Sequence, residues 1–293
     1  VTDPCQICGD CRWGEQYKGP VRDGRFESGT SIPGLVSRCM QCGVARLEGT
    51  PIDYSGPAYR ESVDGGSGLA DYSRLHDPSL GDLLRIVGSG GLLGARVVDV
   101  GCGAGRFLDV VKGLTGGATL GVEPAMQYRA RLLAQGHEAC SFAGEASGWI
   151  GKADLVTCFS TIEHVEDPVG LLAECLSLLR PGGRLVVTTP NRDDVLLELL
   201  PDSYGAFFYR RVHRWYFDAA SLAFAARRCG LEVHNVASFH RFDLSNLLVW
   251  LRERRPGGSG RHSFPPTLEA AYRVSLEQEG RGDYLSAEFR RPS

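Results

Sequence analysis

Val97-Val98-Asp99-Val100-Gly101-Cys102-Gly103-Ala104-Gly105 reads as a short strand that runs directly into a glycine-rich turn. The valines favour a pleated, buried segment. The alternating glycines suit a backbone that must turn tightly and let a ligand approach where Cβ atoms would stand in the way. Taken alone, this spacing also fits a nucleotide phosphate loop or a bare turn. The surroundings narrow it. Asp99 lies two residues before the first glycine, within reach of a ligand amine. Glu123 closes the next strand, 24 residues after Asp99, where an acid can accept both hydroxyls of a ribose.

Outward from this turn, strands and helices alternate. Helical spacing begins after Ser79, with Leu80, Leu83, Leu84 and Val87. Arg96–Val100 is a strand and Arg106–Leu114 a helix; Thr119–Val122 and Met126–Gln135 repeat the pair, as do Ala153–Phe159 and Pro168–Leu179. Arg184–Thr189 is a further strand, Ala219–Cys229 a late helix and Leu231–Ala237 a strand after it. Such alternation requires right-handed crossovers and predicts an α/β fold, a doubly wound, mostly parallel sheet with helices on both faces. Asp283–Arg290 alternates like a last strand, which places residues 239–282 as an insertion within the closing hairpin. The predicted organisation is a front module over 1–50, a linker over 51–78 that packs on the next domain, and a catalytic domain over 79–293.

With these elements in place the chain resembles the class I S-adenosylmethionine-dependent methyltransferases. DVGCGAG (Asp99–Gly105) is similar to their first motif and GVEP (Gly121–Pro124) to their second. Ala153–Phe159 resembles the strand that ends beside the methyl group, and LLRPGGRLVVTTPN (Leu178–Asn191) their helix–turn–strand exit. The resemblance spans roughly residues 80–240 and implies a Rossmann-like seven-stranded sheet. It implies that Asp99 and the turn formed by Gly101, Cys102, Gly103 and Gly105 face the methionine part of the cofactor. Glu123 and Pro124 would meet the ribose, Glu145 and Ala146 the adenine, and Phe159 and Ser160 the sulfonium end. A solvent-facing loop acid is the alternative for Glu145. A dinucleotide dehydrogenase is disfavoured, because its G-x-G-x-x-G helix start is missing.

Methyl transfer to a hydroxyl also needs the acceptor proton removed, and histidine is the usual group near neutral pH. His164, next to Glu163 after the strand that ends at the cofactor, and His213, before the late helix, stand in suitable places. The structural alternatives are a loop anchor for Glu163-His164-Val165 and a packed histidine among Trp215, Tyr216 and Phe217. The stretch Phe159–Pro168 is similar to ubiquinone-type O-methyltransferases. Some of those carry a further Glu that helps bind a divalent cation; here that position is Ser160, and no cation is expected at this site. The apolar run over 193–212 is expected to be a lid on substrate or cofactor, or else a helix at a homodimer interface. Arg210, Arg211 and Arg214 beside it could receive an anionic group.

Five of the ten cysteines fall within the first 42 residues. Cys5-x2-Cys8 and Cys39-x2-Cys42, each followed by glycine, have the spacing of a four-thiolate zinc ribbon; Cys11 is a spare that could replace Cys8. Such clustering, with no export signal in view, points to structural Zn2+ in a reducing, cytoplasmic compartment rather than to disulfides. Small zinc ribbons of this kind also precede methyltransferase domains in bacterial natural-product and deoxysugar enzymes, and in some ribosomal RNA methyltransferases. A net charge of −3 gives no footprint for a phosphate backbone, so nucleic acid is not the expected partner. No apolar run is long enough to span a membrane. Thr189-Pro190-Asn191-Arg192 also differs from the Asn-Pro-Pro-aromatic signature of base amino-group methylation. The expectation is O-methylation of a small metabolite, such as a sugar-containing or aromatic natural product. Sugar C- or N-methylation, an RNA or protein substrate, and a non-catalytic cofactor-binding module are the alternatives.

Overall fold

The computed structural model describes residues 3–23, 31–49, 72–73, 76, 79–88, 92–258, 260–261 and 263–293. Of the expected linker over 51–78, all but Tyr72, Ser73 and His76 lies outside the described residues.

Two sheets organise the chain. The larger has seven strands: β4 (Val97–Val100), β5 (Thr119–Val122), β6 (Glu138–Cys140), β7 (Ala153–Phe159), β8 (Leu179–Pro190), β10 (Glu232–Phe239) and β11 (Tyr284–Arg290). Their order is β10-β11-β8-β7-β4-β5-β6. The pairs β7–β8, β7–β4, β4–β5 and β5–β6 are parallel; β11 is antiparallel to both β8 and β10. This is the expected α/β Rossmann-like architecture with a mostly parallel sheet.

The strands explain the layering. Successive side chains point to opposite faces. Val97, Leu155 and Val186 pack with Phe107, Leu108 and Val111 of α2 (Arg106–Thr115) and with Val87 of α1 (Leu80–Val87). The alternate residues Val98, Val100, Val156, Cys158 and Val187 pack on the other face. There they meet Leu172 and Cys175 of α4 (Pro168–Leu178) and Leu222, Ala225 and Ala226 of α7 (Ala219–Arg228). Strands buried on both faces are therefore apolar over most of their length, with Asp99 of β4 and Thr157 of β7 as buried polar exceptions. Helix α3 (Met126–Ala134) adds Leu132 to the first layer. Asp167 caps α4 through Gly170 N, and Asp218 forms a capping box with Ser221 at the start of α7.

The smaller sheet is antiparallel, in the order β1-β2-β3-β9, from β1 (Trp13–Arg22), β2 (Ser31–Cys39), β3 (Ala45–Leu47) and β9 (Trp215–Tyr216). Its last strand comes from far along the chain: Ala45 pairs with Tyr216 and Arg46 with Trp215. A second contact joins Arg22 to Arg210. The front segment is thus stitched to the later chain by backbone hydrogen bonds.

Two short helices, α5 (Val195–Leu199) and α6 (Pro201–Phe208), occupy the run expected to be a lid. Leu196, Tyr204 and Phe208 of these helices, with Leu200 between them, are buried against Val21, Val36, Ala45 and Leu47 of the small sheet and against Trp250 of α8 (Leu244–Glu253). The apolar residues of this run thereby pack on the front sheet. Helix α9 (Pro266–Gln278) follows α8 and leads to β11. No described helix is long and apolar enough to cross a membrane.

Candidate active site and cysteine cluster

A cleft of about 110 Å3 opens where β4, β7 and β8 end and β11 begins, lined by Asp99, Gly101, Cys102, Phe159, Ser160 and Tyr284 among others. Parallel strands present their carboxyl ends, and the turns that follow them, on one edge of the sheet; ligands of open α/β sheets bind there. Asp99 is buried, and its Oδ1 accepts a hydrogen bond from Thr157 Oγ1 at 2.7 Å. Burial pushes its pKa up to about 7, against the opposing pull of that hydrogen bond.

The glycine turn is built around Glu123. Its Oε2 accepts from Gly103 N and its Oε1 from Ala125 N, both at 2.9 Å. The carboxylate at the end of β5 therefore ties the turn after β4 to the start of α3. Gly101 and Gly103 have φ of 76° and 53°, the left-handed region. A Cβ at Gly101 would stand 2.2 Å from Thr161 Oγ1, and one at Gly103 2.3 Å from the Tyr72 hydroxyl. Tyr72 packs on the turn, stacked on His76 at 4.2 Å and edge-on to Tyr128 at 5.3 Å. No motif in the sequence marked Tyr72 for this place; only its aromatic character within a Gly- and Ser-rich stretch hinted at it. Glu145 is exposed and holds its own loop by accepting from Ser141 N, while Ala146 is buried.

Glu163, His164 and His213 come together although 49 residues separate His164 from His213. One ligand atom from each lies within 4.8 Å of the others, and the two imidazoles meet edge to face at 4.8 Å. Glu163 is buried; its Oε2 accepts from Thr189 Oγ1 at 3.0 Å, while Oε1 has no hydrogen-bond partner. Burial raises its pKa to about 7. His213 is buried with Nδ1 unpartnered, and burial, reinforced by Arg210 and His164, holds its pKa well below the usual histidine value. His164 is half-buried, and its Nδ1 lies 2.7 Å from the Val212 carbonyl. In the neutral ring that contact puts the proton on Nδ1 and leaves Nε2 as the acceptor. None of the three is among the cleft-lining residues.

Comparison with known proteins bears on the family and the fold. Residues 77–236 match the family model described as a methyltransferase domain. The ubiquinone biosynthesis O-methyltransferase of Aeromonas salmonicida is 31% identical over 54% of this chain and 71% of its own length. That of Xanthomonas euvesicatoria is 33% identical over 50% of this chain and 66% of its own. The chain is a class I S-adenosylmethionine-dependent methyltransferase. Its fold is shared with an S-adenosylmethionine-dependent methyltransferase from Archaeoglobus fulgidus, at TM-score 0.51 and 18% identity over 80% of this chain and 98% of that one.

Two of the three arginines expected to receive an anion in this methyltransferase are engaged elsewhere. Arg211 pairs with Asp23 at 3.2 Å. Arg214 donates to the Leu47 and Gly49 carbonyls. Arg210 Nε is buried without a partner, and no cleft-lining residue comes from its segment. The cleft's cationic side chains are instead Arg106 and Arg241. Arg241, from the insertion after β10, carried no sequence signal.

Cys5, Cys8, Cys39 and Cys42 converge at the other end of the chain, with all four sulfurs within 4.8 Å of one another. Cys5 and Cys42 lie 3.7 Å apart, Cys8 and Cys39 3.4 Å. Sulfurs on a tetrahedral zinc ion at its usual bond length would lie roughly 3.8 Å apart, so the set fits such an ion. The two knuckles repeat one geometry. Gly9 N donates to the Cys5 carbonyl and Gly43 N to the Cys39 carbonyl, and both glycines have φ near +80°. Exposed Cys11 lies outside the cluster. Among the bare thiols, the hydrogen bond from Cys42 draws Cys5 down to about 5, while Cys42 is driven far up. A cation is what would let several of them ionise together.

Proposed function

We propose that this methyltransferase acts in the cytoplasm on a hydroxyl of a small metabolite, such as an aromatic or sugar-containing natural product. The observation that carries the reading is the cleft itself. Asp99, the glycine turn, Phe159 and Ser160 meet at the carboxyl edge of the sheet, with Glu123 buried beneath the turn. Relatives described as O-methyltransferases support a hydroxyl acceptor.

In this reading Asp99 and Gly101–Gly105 hold the methionine part of the cofactor, Glu123 and Pro124 the ribose, and Glu145 and Ala146 the adenine. Bound S-adenosylmethionine supplies a methyl group already activated by a positive sulfur. The chain's work is to hold the acceptor oxygen in line with that carbon and to keep water out, which Phe107 and Phe159, edge to face at 5.0 Å, help to do. His164 is the proposed base: its tautomer presents Nε2 as acceptor, with His213 and Glu163 fixed beside it. Structural Zn2+ on Cys5, Cys8, Cys39 and Cys42 holds the front module over 1–50. Residues 79–293 form the catalytic domain.

The test is calorimetric titration with S-adenosylmethionine and S-adenosylhomocysteine on protein assayed for zinc in the same batch. Micromolar binding and one zinc per chain are expected. Absence of binding by folded, zinc-loaded protein would remove the assignment of the turn, and absence of zinc that of the cysteines.

A further inference from the structure

One wall of the cleft carries a cation held rigidly from three sides. Arg241 N donates to Asp283 Oδ1 at 2.8 Å, while its Nε and Nη2 both reach Asp283 Oδ2 at 2.7 Å. Its guanidinium lies 3.7 Å from the centre of the Tyr284 ring. The Asp283 side chain is only 3% exposed, whereas that of Arg241 keeps 33% of its surface open. Nη1 makes no hydrogen bond to any described residue. An arginine anchored along its Nε–Nη2 edge still offers the N–H groups of Nη1, in a plane fixed by the aromatic ring beneath.

The neighbours extend this into a subsite. Tyr284 OH lies 3.2 Å from Ser160 Oγ. Ser160 has φ of 46°, a backbone region that residues with a side chain rarely occupy and that tends to be retained at ligand-holding positions. Phe159, Phe239 and Tyr284 supply flat apolar walls. Tyr284 stands on β11, three strands from β4 in the sheet, about 14 Å from the glycine turn at ordinary strand spacing. The guanidinium therefore faces the acceptor side of the cleft, not the side assigned to the cofactor's amino-acid end.

We propose that Arg241, with Tyr284 and Ser160, forms an anion subsite for the methyl acceptor, and that the acceptor is a hydroxylated aromatic carboxylic acid. The proposal rests on the reading of the cleft as a site of methyl transfer to a small-molecule hydroxyl. The carboxylate pairs with Nη1 of Arg241, the ring lies among the aromatic walls, and the hydroxyl is turned toward Ser160. Arg241 is a specificity-determining residue: it selects the charged acceptor and leaves proton removal to another group.

The experiment titrates S-adenosylhomocysteine-loaded protein with 3,4-dihydroxybenzoate and with 3,4-dihydroxybenzamide, which match in shape and differ in charge. The benzoate should bind about 10- to 100-fold more tightly, the usual range for one charge-assisted hydrogen bond in a partly buried site. In Arg241→Met that preference should fall below about threefold, with S-adenosylhomocysteine affinity unchanged within the same factor. Arg241→Met leaves Asp283 buried without its cation, so Arg241→Met/Asp283→Asn is measured beside it. The wild-type preference is informative without either variant. Equal binding of the two probes, or binding of neither, overturns the proposal. So does a variant that loses S-adenosylhomocysteine, because the guanidinium would then serve the cofactor's own carboxylate. If S-adenosylhomocysteine does not bind the wild-type protein at all, the methyl-transfer reading of the cleft falls first; if it binds and the probes are not distinguished, only this inference falls.

Discussion

Glu123 is given two tasks with one carboxylate: it accepts from Gly103 N and Ala125 N, and in the proposed reading it also meets the ribose. Glu123→Ala removes both charge-assisted bonds and leaves two buried N–H groups without an acceptor. S-adenosylhomocysteine affinity should drop about 100-fold, measured by calorimetry, with a lower melting temperature. His164→Ala tests a different property. If His164 is the base, turnover should fall about 10²- to 10⁴-fold while cofactor affinity stays nearly constant. His213→Ala should affect turnover less, because the His213 ring is buried whereas that of His164 is half-buried. Full turnover in both variants would leave positioning alone to carry the reaction. At this scale the sequence marked Asp99, Glu123 and the glycines, since local turn geometry dictates their type. It did not mark Tyr72 or Arg241, whose roles depend on neighbours more than 25 and 40 residues away, at Gly103 and Asp283.

Among the elements, α5 shows an apolar run finding a partner that its sequence does not name. Its leucines read as a lid because an unpartnered apolar loop must cover something, and the partner proved to be the front sheet. Its start is fixed by Asp194, which accepts from Leu196 N at 2.9 Å and from the Tyr204 hydroxyl at 2.6 Å. Burial, and the nearby Asp283 charge, raise the Asp194 pKa to about 7 from an ordinary value of 3.8. A folded-state pKa raised in this way favours folding fully below about pH 4, and the advantage is lost as pH climbs through about 7. Asp194→Asn keeps the cap and removes the charge. The variant should gain stability relative to wild type between pH 4.5 and 8, by an amount on the order of a few kcal/mol, in urea unfolding followed across that range. A difference independent of pH would mean that Asp194 ionises freely in the folded chain.

For the whole molecule, β9 is where the front strands join the later chain. One side of this two-residue strand pairs with β3, just beyond the Cys42–Gly43 knuckle, while Arg214 N and Trp215 N both donate to the Glu163 carbonyl. Cys5, Cys39 and Cys42 belong to the same buried cluster as Trp215, Leu172 and Leu222. If Zn2+ sits on these cysteines, as proposed, stripping it should therefore destabilise more than the first 50 residues. Chelation is expected to lower Tm on the order of 10 °C and to expose amides of β1, β2, β3 and β9 to hydrogen exchange. Cofactor binding at the β4 turn should persist while turnover declines, because the loop carrying Glu163 and His164 leans on β9. Unchanged exchange in β9 would mean that the module is held by packing alone. The sequence by itself determined the α/β alternation, the glycine turn with its acids and the four-cysteine spacing. Each of these is a local pattern, set by side-chain period, backbone sterics or ligand geometry. Only the tertiary structure decided that the front strands share a sheet with Trp215 and Tyr216, that the apolar run faces that sheet, and that Arg241 lines the cleft. Those outcomes come from contacts between segments far apart in the chain, where burial of a face and pairing of a strand edge depend on which partner the fold brings near.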